Sequence, residues 1–194
     1  MASPEFSGSD GDGALARDIA LAVVVGFFSG ALSIPVLINL GIALRIPLLS
    51  LPFIGAALSA IALLASRLAA GRVSSLLEFT KFAVVGVLNS AVDFGGLNFL
   101  ILITGVASGA GYVAFKSVSV TLGVINSYLW NKYWTFDASK SSAARRELIA
   151  FLVVTPLAVG VNVAGADVIV NVIGAPLGSA PSYGQTSALF QAPD

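Results

Sequence analysis

Three ionisable residues stand inside long apolar runs of this chain: Asp93, Lys116 and Asp167. Charge in such surroundings is costly, so each is expected to face a cavity or a partner. Asp93 lies twelve residues past Lys81, roughly 18 Å of helix, and Lys116 lies fourteen residues before Trp130, roughly 21 Å. On antiparallel neighbouring helices these opposite charges meet at similar depth. One reading is a buried ion pair that holds a helical hairpin together. The other is that Lys116 offers its ammonium to an anionic ligand, with Asp93 holding it while the site is empty. The two are compatible. The chain has no Cys and no His, which removes thiolate and imidazole metal sites, disulfides and every nucleophile–His arrangement. No catalytic constellation, metal or cofactor is expected, and the reading is not that of an enzyme.

Each charge belongs to a polar stripe. Gly86, Asn89, Asp93 and Gly96 follow steps of three or four, as do Lys116, Ser119, Gly123, Asn126 and Trp130, so each set shares one helix face. Small residues permit close helix approach, and Asn or Ser can bridge helices. Just beyond the second stripe, residues 123–136 (GVINSYLWNKYWTF) hold both of the chain's tryptophans. Trp130, Asn131 and Lys132 are candidates to hold a polar headgroup there. For Tyr133 and Trp134 an ordinary interfacial belt is the favoured reading.

The elements that position these residues must be membrane helices. Of 194 residues, 57% are apolar and 10% charged, against roughly 45–50% and 25% in soluble domains; the mean hydropathy is +0.93. The fold class is all-α: a polytopic transmembrane helical bundle with about five spans. Residues 1–13 are small, polar and acidic and read as a disordered tail or an expression remnant. Residues 14–70 form an N-terminal hairpin, with spans at about Ile19–Leu44, bent by Pro35, and Ile46–Ala65. Further spans are expected at about Lys81–Thr104, Tyr112–Trp130 and Leu148–Ile173, each near the ~20 residues that cross a bilayer. Residues 175–194 are too polar and Pro-rich to continue them.

Basic residues set the orientation. Arg17, Arg67, Arg72, Lys81, Lys132, Lys140, Arg145 and Arg146 fall on one side, against Arg45 on the other. The N-terminus and the 131–147 loop are therefore expected in the cytoplasm. Zero net charge and the lack of a basic cluster argue against nucleic acid as a partner. Aligning Phe82 with Phe151 sets Asp93 over Asn162 and Asn98 over Asp167, an echo that fits parallel two-helix repeats.

Three motifs in order carry a resemblance. Residues 78–93 (EFTKFAVVGVLNSAVD), residues 114–119 (AFKSVS) and residues 126–136 (NSYLWNKYWTF) resemble the GtrA-like family of small polytopic membrane proteins. The resemblance covers about residues 76–173 and defines a domain at 71–174 whose last helix is missing or divergent. It implies translocation, or assisted translocation, of a polyprenyl-phosphate-linked sugar across a bacterial or archaeal cytoplasmic membrane, for cell-surface polysaccharide synthesis. In that role of flippase, Lys116 would meet the phosphate, while Asn89, Asn126 and Asp93 would bond sugar hydroxyls or the lysine. Membrane lipids, a membrane glycosyltransferase and further copies of the chain are compatible partners. Two alternatives remain: a scaffold that recruits or orients a glycosyltransferase through Arg145 and Arg146, and an ion-coupled small-molecule transporter using Asp93 and Lys116.

Overall fold

A computed structural model describes residues 8–69, 76–135, 157 and 159–174. Among them the chain is a bundle of helices with no strand: α1 (Gly8–Asn39), α2 (Leu51–Ala69), α3 (Leu76–Ser90), α4 (Gly96–Thr104), α5 (Gly109–Trp130) and α6 (Val159–Val172). Large apolar side chains point outward along them, among them Leu49, Phe53, Leu68 and Phe79. Such a surface aggregates in water and suits a bilayer. Among the described residues, three helices are long and apolar enough to cross a membrane: Gly13–Asn39, Leu48–Ala69 and Leu76–Thr104. The 22-residue α5 reaches about 33 Å, but it is more polar because it carries Lys116, Asn126 and several hydroxyls. The first part of the fifth expected span, and with it much of the repeat alignment, lies outside the described residues.

Helix α1 starts at Gly8, inside the segment expected to be a tail, and runs through Pro35 to Asn39. It ends five residues short of the expected Leu44 because Gly41 takes a left-handed conformation (φ 65°). The Ile42 amide then donates to the Leu37 carbonyl and the Gly41 amide to the Ile38 carbonyl, the paired closure of a Schellman cap. The chain turns through a short 3₁₀ segment, Leu48–Ser50, into α2. Helices α1 and α2 lie backbone to backbone: a β-carbon on Gly26 or on Gly55 would collide with the other's carbonyl. Only glycine allows that approach.

Helix α1 is also the spine of the whole bundle. Its buried Ala22 and Val25 join Leu63 of α2 and Val84, Val85 and Leu88 of α3 in one core cluster. Further along, the Leu32 carbonyl abuts Gly95, and Asn39 Nδ2 donates to the Asn98 carbonyl (2.8 Å) and to Asn98 Oδ1 (3.0 Å). A smaller cluster, Leu97, Ile101 and Tyr112, lies between α4 and α5 and is covered by Ala166 and Val170 of α6. The N-terminus of α5 is capped from a distance: the Gly109 amide donates to Asn171 Oδ1 at 2.7 Å, satisfying one of the first-turn amides that a helix leaves without a partner.

Among the described residues, three π-helical segments interrupt the regular period: Ala91–Gly95 joins α3 to α4, Asn131–Thr135 extends α5, and Val168–Gly174 ends α6. Such turns widen the helix by one residue and redirect the side chains they carry. The first carries Asp93 and the second carries Trp134.

Candidate functional site

The two expected stripes face each other and form one polar seam between α3 and α5. At its centre, the Lys116 ammonium lies 2.7 Å from both Asp93 Oδ1 and Asp93 Oδ2. The two side chains are 4% and 13% exposed, so this is a buried pair whose members each depend on the other for compensation. The Ser119 hydroxyl lies 3.2 Å from Asp93 Oδ1 and 3.1 Å from the Lys116 carbonyl, and its single proton serves one acceptor at a time. The Lys116 ammonium also sits 5.1 Å from the centre of the Phe94 ring, a cation–π distance. Beside the pair opens a cavity of about 280 Å³, lined by Lys116, Phe94, Asn98, Ile101 and Tyr112 and closed by Ala166 and Ile169 of α6.

One step along the seam, Asn126 Nδ2 donates to Asn89 Oδ1 (3.0 Å), and Trp130 Nε1 donates to Asn126 Oδ1 (3.1 Å). Asn126 is thus both donor and acceptor in a chain of three side chains across two helices. Replacing it with Leu leaves the Trp130 indole and the Asn89 carbonyl without that partner. Thermal unfolding in detergent should detect a loss of about 1 kcal/mol, and the same change in an Asn89→Leu background should cost less. Of the stripe glycines, Gly96 of α4 and Gly123 of α5 lie at ordinary contact distance from the facing helix, where a β-carbon would fit, whereas nothing lies within 4 Å of a β-carbon on Gly86 among the described residues.

A second buried charge cluster closes the same end of the bundle, and the sequence reading missed it. Lys81 Nζ pairs with Asp18 Oδ2 at 2.6 Å, and Trp134 Nε1 donates to Asp18 Oδ1 at 3.0 Å. The Trp130 and Trp134 rings meet edge to face with centroids 5.7 Å apart. Trp134 is therefore not a belt residue: it is 3% exposed and belongs to the core, because its indole N–H is used by a carboxylate from α1. Tyr133 beside it is exposed.

The remaining candidates separate. Lys132 turns away from the seam and lies 5.3 and 5.2 Å from the Tyr128 and Tyr133 rings. Its pKa is raised, chiefly by a hydrogen bond with Tyr128, so it stays cationic at any physiological pH. Asn131 Nδ2 donates to Ser127 Oγ at 3.2 Å. Asp167 accepts from Asn171 at 2.7 Å and lines another cavity of about 580 Å³ on the other face of α5, with Ser117 and Thr121; it is not brought to Lys116. Arg145 and Arg146 lie outside the described residues.

A lipid-facing helical bundle with a charged, hydrogen-bonded seam at its centre defines a multi-pass membrane protein rather than a soluble domain. The chain belongs to the family described as "GtrA/DPMS, transmembrane domain", which matches residues 81–190. That match takes in Lys81, Asp93, Lys116 and Trp134, leaves out Asp18, and runs past Gly174, the end of the domain expected from the motifs. The chain is also similar to the "uncharacterized membrane protein YngA" of Bacillus subtilis (strain 168), 37% identical over 82 residues, which are 42% of this chain and 51% of that protein. It thus spans about half the length of the curated relative it matches. No solved structure matches.

Proposed function

We propose that the chain translocates, or assists the translocation of, a polyprenyl-phosphate-linked sugar across the cytoplasmic membrane for cell-surface polysaccharide synthesis. The observation that carries this reading is the buried Lys116–Asp93 pair opening on the cavity of about 280 Å³. Such a lipid needs a cation for its phosphate and hydrogen-bonding groups with a flat apolar face for its sugar. Lys116 supplies the first. Phe94 and Tyr112 supply ring surface at the cavity wall, and Asn98 supplies an amide.

The exchange keeps the Lys116 ammonium paired and leaves Asp93 with the surplus negative charge. A phosphate arriving at Lys116 replaces one anionic partner by another, so the ammonium is never left uncompensated in a low-dielectric interior. Asp93, released from the lysine, still has the Ser119 hydroxyl within reach and becomes an acceptor for sugar hydroxyls. The Asn89–Asn126–Trp130 chain offers further replaceable hydrogen bonds along the seam. The distribution of basic residues supports a cytoplasmic position for the Lys81–Trp134 end of the seam and for the N-terminus. The isoprenoid then stays in lipid while the headgroup travels between α3 and α5.

The test is a flipping assay. Purified protein in vesicles should move a fluorescent polyprenyl-phosphate sugar between leaflets faster than protein-free vesicles do, read by quencher access. Equal rates in the two would contradict the reading.

A further inference from the structure

Translocation through the Lys116 cavity makes no use of the second buried ion pair, Lys81 with Asp18. Around the Asp18 carboxylate stand an ammonium at 2.6 Å and an indole N–H at 3.0 Å, a charge-assisted donor set that suits a phosphate oxygen as well as a carboxylate. Lys81 Nζ also lies 5.9 Å from the Trp134 ring. The π-turn that carries Trp134 holds two more polar atoms, Asn131 Oδ1 and Thr135 Oγ1, both buried with no hydrogen-bond partner among the described residues. Buried polar atoms are usually paired, and a polar headgroup entering beside Trp134 would offer these two a partner.

We propose that Lys81 and Trp134 form a second anion station, roughly 18 Å along α3 from the depth of Asp93. It takes the phosphate of a prenyl-phosphate lipid, and Asp18 is a tethered competitor that fills it between turnovers. This rests on the reading of the ligand as a polyprenyl phosphate. Asp18 comes from α1, outside the residues matched by the family, so the N-terminal hairpin takes part in the site. The two stations have the same logic: an ammonium on one helix, a carboxylate on another, and an aromatic ring beside them. A phosphate moving from Lys81 to Lys116 exchanges one aspartate partner for the next.

Both tryptophans of the chain lie at this cluster, so the intrinsic fluorescence of the purified protein in detergent reads it directly. Farnesyl phosphate is titrated, with inorganic phosphate and farnesol in parallel. We expect a saturable change with farnesyl phosphate alone, tightened about tenfold in Asp18→Asn and weakened at least about tenfold in Lys81→Gln. The response should survive in Lys81→Arg. The double variant Asp18→Asn/Lys81→Gln carries no uncompensated charge, so it folds if the pair is merely structural, and it too should lose the response. Titration of that double variant like the wild type, or an equal change with farnesol, overturns the station. A response to inorganic phosphate as strong as to farnesyl phosphate overturns the lipid assignment. A protein that flips lipid-linked sugar while its fluorescence ignores farnesyl phosphate overturns this inference alone. A Lys81-dependent titration without flipping overturns the translocation reading and leaves the station standing.

Discussion

Vesicles carrying the Lys116→Ala protein should translocate a polyprenyl-phosphate sugar no faster than protein-free vesicles, although the variant still inserts. The ammonium is the cation that the cavity of about 280 Å³ presents to an arriving phosphate, and alanine removes it entirely. The same change leaves Asp93 partly buried with Ser119 as its remaining side-chain partner among the described residues, and breaking a buried pair by removing one partner costs about 3–5 kcal/mol. A loss of transport could then reflect a loosened bundle. The double variant Asp93→Asn/Lys116→Ala separates the two, since it removes the uncompensated carboxylate. Its thermal stability in detergent should recover toward the wild type while its transport stays at background. Transport by the double variant at the wild-type rate would remove Lys116 from the mechanism.

The second large effect is expected at Gly95. This residue sits on the π-turn that carries Asp93, and its α-carbon faces the Leu32 carbonyl of α1 so closely that any β-carbon would collide with backbone. Backbone cannot yield as a flexible side chain does, so Gly95→Leu should force α1 away from α4 and cost about 3 kcal/mol or more. Gly86 is the control: among the described residues nothing lies within 4 Å of a β-carbon added there, and Gly86→Ala should leave unfolding almost unchanged. A cysteine pair at Asn39 and Asn98, whose side chains are hydrogen-bonded, should cross-link readily in the parent and poorly with Gly95→Leu. Equal cross-linking in both would show that the approach is not required.

The centre of the site was legible because depth can be counted. Asp93 and Lys116 stand at matching distances from Lys81 and Trp130, their stripes keep helical steps, and membrane helices cannot leave charges unpaired. The amide contact between Asn89 and Asn126 follows from the same register. The second pair was not legible. Asp18 precedes the first apolar run and follows Arg17, where a charge reads as an ordinary flank, and its indole donor lies 116 residues away. Lys81 and Trp134 each had a sufficient bland reading, as a topology charge and as a belt aromatic. Only the placement of α1 across the matched domain joins them.

Local geometry hid the rest. Counting in steps of 3.6 assumes an unbroken helix, and one member of each charged cluster, Asp93 and Trp134, stands on a π-turn that breaks the step. The glycine contacts between α1 and α2 need the partner helix to be known before Gly26 and Gly55 acquire meaning. The Schellman closure at Gly41 is a signal that the sequence does carry, since glycine after an apolar run often ends a helix. The long hydrophobic stretch around it, running on through Ile42 and Leu44, masked that signal.

The central claim is that the cavity beside Lys116 is where the phosphate-linked sugar binds. A photoreactive polyprenyl-phosphate sugar, cross-linked to the protein in vesicles and mapped by mass spectrometry, tests it most directly. Adducts are expected on Phe94, Ile101 and Tyr112, suppressed by an excess of unlabelled lipid and lost in the Asp93→Asn/Lys116→Ala variant. Adducts confined to outward-facing residues such as Phe53 and Leu68, indifferent to competitor and to the variant, would contradict it.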